Sequence, residues 1–386
     1  MTDLAERIAG RARRFGPLPW SVFMEAALYD DSAGFYQAGG QAGRRGDFVT
    51  SPELGPLFAA VLARALDRWW DDLGRPDPFL VVEAAAGTGT LAHDVLAADP
   101  ACAPALRYLL VERSRRLREA QIGRLALELP AFVLGPAAPD GTDADDDSIH
   151  TLPGRGPMAS SLGELPATGF TGVVFANELL DNLAFDLVEW RDAAWQEVRV
   201  AAPDTSGAAL VETLIRCPPD LASLASGLVR GYRLAEGARL PIQTGAVRWL
   251  RQALALIERG RLVLIDYAAT TPVLAASAPA SWLRTFRHHG PGGPPLEAVG
   301  TQDITTVVAT DQLAAVRPLS SDRSQAEWLA AHGINELTEA ARDTWQQRAA
   351  IGDLEALKAR SRVHEADALV DPDGLGGFRV LEWTVW

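Results

Sequence analysis

Short apolar runs alternate with amphipathic stretches along most of this chain. FLVVEAA (79–85) is continuous, apolar and partly β-branched, which predicts a buried parallel strand. GTGT (87–90) reads as the turn after it and LAHDVLAA (91–98) as a helix. RYLLVE (107–112) gives a second strand about one crossover later, followed by a helical pattern over 114–129. GVVFAN (172–177) and RLVLIDYA (261–268) supply further strands. Strands alternating with helices predict a parallel, doubly wound α/β sheet. Upstream, LFAAVLARALDRWWDDL (57–73) carries apolar residues at helical spacing and stops at Gly74 and Pro76. Residues 32–55 are glycine-rich and predicted to be irregular. Residues 187–216 alternate with period two and predict a β-hairpin decorating the sheet. Beyond about 320 the pattern is helical until GGFRVLEWTVW (376–386), a last strand.

These patterns divide the chain into a helical N-terminal region, 1–75, and an α/β domain over 76–386. Insertions interrupt the domain at about 136–157 and 187–245. The first insertion is acidic and rich in Gly and Pro, and its charge run reads as a solvated surface loop. With 386 residues, 48% of them apolar, the chain is long enough for a large core. Its net charge of −14 opposes non-specific nucleic-acid binding and a polybasic membrane patch. Two cysteines, Cys102 and Cys217, have no paired spacing and predict neither a disulfide framework nor a zinc site. The first residues carry acids at Asp3 and Glu6 and lack the apolar run of a signal peptide. No stretch reaches the roughly 18 apolar residues of a membrane span. The expectation is a cytoplasmic protein, monomer or homodimer, with no metal: none of the six histidines (His93, His150, His288, His289, His332, His364) falls in a metal-ligand spacing. Trp69, Trp70, Trp249 and Trp328 sit at helical apolar positions and read as core.

The candidate chemistry starts at VVEAAAGTGTLA (81–92). A strand reaches Glu83 and enters a turn with Gly87 and Gly89, where small residues let backbone N–H groups approach a ligand at a helix N-terminus. GTGTLA satisfies the dinucleotide pattern G-x-G-x-x-A. Read from Glu83, the same residues form E-x-A-x-G-x-G, which resembles motif I of class I S-adenosylmethionine-dependent methyltransferases. Glu112, ending the second strand, suits the hydroxyls of an adenosine ribose in either case. Glu83 favours the second reading. A carboxylate repels a pyrophosphate but attracts a sulfonium and an ammonium. FANELLDNLAFDLVEW (175–190) then places Asn177, Glu178 and Asp181 after a buried strand. Glu178 and Asp181 are three apart, so one helical turn would put both on one face, where two carboxylates suit a guanidinium. In RRGDFVTSPELGPLF (44–58), Ser51 reads as a helix N-cap with Pro52 at the first helical position. That leaves GDFVT unexplained.

Taken in order, FMEAALYDDSAGFY (23–36), GDFVTSPELGPLF (46–58), VVEAAAGTGTL (81–91), YLLVERSRRLREAQ (108–121), VVFANELLDNLAFDLVEW (173–190), RLVLIDY (261–267) and QDITTVV (302–308) resemble the MidA-type S-adenosylmethionine-dependent methyltransferases. The mitochondrial member of that family is an arginine methyltransferase that assists assembly of a respiratory complex. The resemblance implies a class I methyltransferase (Rossmann-like) fold, S-adenosylmethionine as cofactor and protein arginine methylation, with a respiratory-complex-type subunit as the substrate class. It implies that the GDFVTSPE loop covers the cofactor, making Asp47, Thr50 and Glu53 site candidates. Glu83, Ala85, Gly87, Gly89 and Glu112 become cofactor positions, and Ser161 and Leu162 border the adenine. Asn177, Glu178 and Asp181 become catalytic candidates. Two positions depart from the family pattern: Ala85 stands where the turn usually has its first Gly, and Ala309 where D-[IL]-T-x-x-V-D has its last acid. They motivate a second reading, a cofactor-binding assembly factor with weak catalysis. Methylation of a small molecule remains a third.

Overall fold

The computed structural model describes residues 3–38, 40, 50–135, 154–203, 210–287 and 290–386. Most of the acidic insertion (136–153), together with Asp47, His150, His288 and His289, lies outside the described residues. The chain forms two compact units, each gathered from three segments.

The larger unit comprises Val49–Asn177, Ala253–Ile265 and Leu319–Trp386. Its seven-stranded sheet contains β1 (Phe79–Ala84), β2 (Leu106–Val111), β3 (Met158–Leu162), β4 (Phe170–Asn177), β5 (Ile257–Asp266), β6 (Ser321–Ser324) and β7 (Arg379–Val385). The strand order is 3-2-1-4-5-7-6. β1 to β5 pair in parallel, whereas β6 and β7 are antiparallel. The order turns back between β1 and β4, the switch point beyond whose carboxyl ends a doubly wound sheet holds its ligand.

The predicted strands at 79, 107, 172, 261 and 376 are all present, and so is the helix over 57–73, as Pro56–Asp72. Pro52 and Pro56 sit in the first turns of their helices, and the Glu365 carboxylate accepts the Leu57 N–H at 3.1 Å. Leu57, Phe58, Val61, Leu62, Leu66 and Trp69 from this helix join Val81, Val173, Phe175 and Val263 in one core. Trp69 and Trp328 belong to that core, as their spacing predicts.

Three expectations need correction. The helix over 114–129 stops at Ile122, because Gly123 ends it and Leu127 then forms a parallel bridge to Ala159. β3, with its small polar sequence MASSL, carries no apolar run to betray a strand. The segment 187–216 does not decorate the seven-stranded sheet. Asp186–Arg191, Ala194–Ala201 and Val211–Arg216 build a separate sheet with Leu18–Pro19 and Arg239–Ile242. Period-two alternation reports a half-buried strand but not which sheet receives it.

That second sheet belongs to the smaller unit, Met1–Phe48, Glu178–Gln252 and Asp266–Pro318. The N-terminal 48 residues therefore group with later segments, and no boundary falls at residue 75. Helix Asp3–Phe15 turns Leu4, Ala5, Ile8, Ala9 and Ala12 inward. Together with Trp20, Phe23 and Met24 they meet Phe185, Leu187, Val198 and Val200 in a core of their own. No helix among the described residues is long and apolar enough to cross a membrane.

One rung of the large sheet demands glycine. Gly172 pairs with Leu80 on one side and Gly260 on the other. A Cβ on Gly260, at φ 149°, would lie 1.8 Å from the Gly172 carbonyl oxygen, and one on Gly172 would lie 1.9 Å from that of Leu80. Such a φ is accessible essentially to glycine alone. Gly260→Ala is expected to lower the unfolding free energy by roughly 3 kcal/mol or more, read by urea denaturation.

Candidate functional site

The turn after β1 is built from left-handed backbone. Ala85, Gly87 and Gly89 have φ of 58°, 53° and 78°, and Gly89 is the N-cap of helix Thr90–Ala97. The glycines serve different ends. A Cβ on Gly89 would press on Leu110 and Leu125 at 3.1 and 3.2 Å, so Gly89 allows close packing of turn on core. A Cβ on Gly87 would meet nothing within 4 Å, so that peptide faces open space. Ala85 is exposed, and its methyl does not plug the turn. Its cost is conformational, about 1–2 kcal/mol for a left-handed residue with a Cβ.

Glu112 ties the turn to β2. One carboxylate oxygen accepts the Gly87 N–H at 3.0 Å and the other the Ser114 N–H at 2.7 Å. Burial pushes its pKa up, while these amides and the Arg118 charge oppose the rise. The Gln121 amide donates to the Gly87 carbonyl at 2.8 Å, the Ser161 hydroxyl donates to Gln121 Oε1 at 2.5 Å, and the Glu112 N–H donates to the Leu162 carbonyl at 2.9 Å. The structure thus brings Gly87, Glu112, Ser161 and Leu162 into one network. Its hub, Gln121, was missed. It closes the REAQ piece, but a lone Gln on a helix carries no spacing signal.

Glu83 is buried in β1, with the Tyr108 hydroxyl donating to it at 2.8 Å. Burial raises its pKa to about 8, the Tyr108 hydrogen bond opposes that rise, and the Glu112 charge adds to it. Two acids acting on each other beside an N–H-lined turn suit a cation and disfavour a pyrophosphate. The open space before Gly87 and the carboxylate at the end of β2 fit an adenosyl sulfonium. From the GDFVTSPE loop, Glu53 accepts the Thr90 hydroxyl at 2.8 Å, so it reaches the turn. Thr50, buried, holds the N-cap position of helix Ser51–Leu54 that the sequence assigned to Ser51. Ser51 is instead the first helical residue, and its hydroxyl donates to Gln325 Oε1 at 3.0 Å.

The acids after β4 lie in the smaller unit and form a cluster of their own. Glu178, the residue after the last of β4, is left-handed at φ 52°. A non-glycine residue there is strained, and such strain concentrates at functional sites. The expected helical face joining Glu178 and Asp181 is absent, since only a short turn, Leu180–Asn182, follows. Asp266, which sequence reasoning passed over inside RLVLIDY, explains this. Its carboxylate accepts the N–H groups of Leu180 at 3.0 Å, Asp181 at 3.2 Å and Tyr267 at 3.0 Å, pinning the turn. The Tyr267 hydroxyl donates to Asp181 Oδ2, while Asp181 Oδ1 is buried without a hydrogen-bond partner among the described residues. Asn182 donates to Asp303 Oδ1 at 3.0 Å, and the Tyr36 hydroxyl lies 3.0 Å from Asn182 Oδ1 and 3.2 Å from Asp303 Oδ1. Burial raises the pKa of Asp181 to about 6 and of Asp303 to about 8, and lifts that of Asp266 well above the usual carboxylate range, with the neighbouring acids adding to the rise in Asp266 and Asp303.

His332 packs against Trp69 and Trp328, and burial lowers its pKa to about 4. Among the described residues no group of His, Cys, Asp or Glu is arranged to hold a metal. Cys102 and Cys217 are buried free thiols.

Two outcomes follow from the turn. A buried acid with a raised folded pKa makes the folded protein bind protons more tightly, so its contribution to stability is lost as pH rises from about 4.5 toward about 8. Glu83→Gln is expected to flatten the pH dependence of stability across that window, read by denaturant unfolding at several pH values. Ala85→Gly is expected to raise stability by about 1 kcal/mol by relieving the left-handed strain, read by the same method.

Residues 61–323 match the model of a family described as S-adenosyl-L-methionine-dependent methyltransferase. A Drosophila melanogaster protein named protein arginine methyltransferase NDUFAF7 homolog, mitochondrial, is 31% identical across 53% of this chain and 46% of its own length. The chain therefore spans about half the length of that relative. A Danio rerio protein arginine methyltransferase NDUFAF7, also mitochondrial, is 22% identical across 97% of this chain and 85% of its own. A crystal structure of a COG1565 superfamily member from Burkholderia thailandensis, bound to S-adenosyl-homocysteine, is 27% identical with a TM-score of 0.77, covering 99% of this chain and 91% of that one. The mitochondrial naming of the curated relatives overturns the expectation of a cytoplasmic location. Free cysteines do not tell one reducing compartment from another. The sheet order, the turn and these matches agree on a class I methyltransferase fold, and the chain belongs to the S-adenosyl-L-methionine-dependent methyltransferase family.

Proposed function

We propose that this methyltransferase acts on an arginine side chain of a protein. The observation that carries the reading is Asp181 Oδ1, a buried carboxylate oxygen without a partner among the described residues, set among Asp266 and Asp303. A site that concentrates buried acids and leaves an acceptor unpaired is completed by a cationic, multiply donating group, and among protein side chains the guanidinium carries the most donors. The names of the relatives point the same way.

When bound, the cofactor supplies an electrophilic methyl group on a sulfonium. The chain's own residues do the holding. Glu112 would accept the ribose hydroxyls at the end of β2, Ser161 and Leu162 would border the adenine, and the open face before Gly87 would receive the cofactor beside Glu83. Glu53 and Thr50 would shield that end. Glu178 and Asp181 receive the guanidinium with their carboxylates. Alignment and a fixed negative field are the chief requirements when the electrophile arrives activated.

The second reading, a cofactor-binding assembly factor with weak catalysis, draws on Ala309. That residue is fully buried in the smaller unit's core and its N–H donates to Gln243, so it brings no acid to the chemistry. One experiment separates the readings. Labelled methyl transfer into host protein, followed by hydrolysis and identification of the methylated amino acid, is expected to give methylarginine. Glu178→Gln is expected to cut that turnover by about tenfold or more with cofactor affinity near normal, read by calorimetry. Label on another residue or on a small molecule overturns the arginine assignment, and cofactor binding without any labelled product supports the assembly-factor reading.

A further inference from the structure

The mechanism above uses Asp181 but not the tyrosine bonded to it. We infer that Tyr267 is a positioning residue, one that turns the Asp181 carboxylate so that Oδ1 alone stays open to a guanidinium. The inference rests on the arginine reading and deepens it. The geometry is specific. Asp266 holds three donors, the N–H groups of Leu180, Asp181 and Tyr267, and so fixes the backbone of the turn and of Tyr267 together. The Tyr267 hydroxyl then reaches Asp181 Oδ2. An aspartate has one free torsion beyond Cβ, so a bond to one oxygen decides where the other points. Without the hydroxyl, the carboxylate could turn either oxygen to an incoming donor, and the single aimed acceptor would be lost.

The charged surroundings set the pH behaviour. Asp181 is faced by Tyr267 and Asp266 at the end of β5, by Arg284 on strand Leu283–Arg287, by Asp303 on strand Asp303–Thr306, by Tyr36 on helix Phe35–Ala38, and by Glu178 through Asp266. The Arg284 guanidinium lies 5.2 Å from the centre of the Tyr267 ring, which shows that this ring already accepts a guanidinium on its face. Burial holds Asp181 near 6, and the Tyr267 hydrogen bond is the largest influence pulling it down. Removing that bond raises the pKa, so the carboxylate is protonated over a wider range and cation binding is lost at higher pH.

The test uses the full chain and agmatine, a small guanidinium probe, with affinity measured by calorimetry between pH 5 and 8.5. Thermal unfolding confirms that each variant is folded. Wild type is expected to bind agmatine with an acidic limb near pH 6. Tyr267→Phe, which keeps the ring, is expected to move that limb upward by about one unit. Asp181→Asn is expected to weaken binding by about tenfold and to abolish the limb. Wild type binding with Tyr267→Phe leaving the limb in place overturns the positioning role and leaves the arginine reading standing. Wild type that does not bind agmatine at any pH overturns both.

Discussion

A carboxylate taken out of water must find a donor or a cation, because the cost of leaving it unmet exceeds what any packing contact returns. This chain buries acids at strand ends and meets each with a small set of donors. In the larger unit Glu83 has Tyr108, and Glu112 has the amides of Gly87 and Ser114. In the smaller unit Asp266 has three amides, and Asp303 has Asn182, Tyr36 and its neighbour's N–H. Asp181 breaks the rule by half, with one oxygen satisfied and one not. Where the donors are backbone amides, as at Glu112 and Asp266, they stand in fixed positions and cost no side-chain entropy to hold.

The backbone around these acids is bent to suit them. Ala85 follows β1 and Glu178 follows β4, and both take the left-handed conformation that residues with a Cβ avoid. Neither strain is idle. At Ala85 it opens the turn so that Gly87 presents its N–H to Glu112. At Glu178 it turns the chain sharply off its strand, so the next residues deliver the Leu180 and Asp181 amides to Asp266 instead of starting a helix. A left-handed residue directly after a parallel strand is therefore how this chain converts a sheet edge into a set of aimed polar groups.

The sequence revealed the central strands because they are buried on both faces and leave continuous apolar runs such as FLVV and GVVF. It revealed the turn because Gly87 and Gly89 interrupt that pattern at a strand end, and Glu112 because one crossover has a predictable length. It concealed β3, whose MASSL sequence lies among small polar residues. It also misjudged the segment after residue 187, because alternation carries no record of the partner sheet. The acids followed the same division. Glu178 and Asp181 were visible as a pair, but the assumed helix between them was wrong, since Asp266, more than eighty residues later, claims the amides a helix would have used. Asp303 and Tyr36 were out of reach for the same reason. Their roles arise from contacts across long stretches of chain, and local periodicity is blind to those.

The contact between the Tyr36 hydroxyl and Asp303 spans 267 residues. A ribosome adding about 5 to 20 residues per second needs somewhere between a quarter of a minute and most of a minute to cover that gap. For more than half of that time the apolar face of the first helices, with Trp20, Phe23 and Met24, has been made but the strands carrying Leu187, Val198 and Val200 that will cover it have not. The first helices therefore wait for partners from distant parts of the chain, while the parallel sheet downstream can begin to assemble from nearer neighbours.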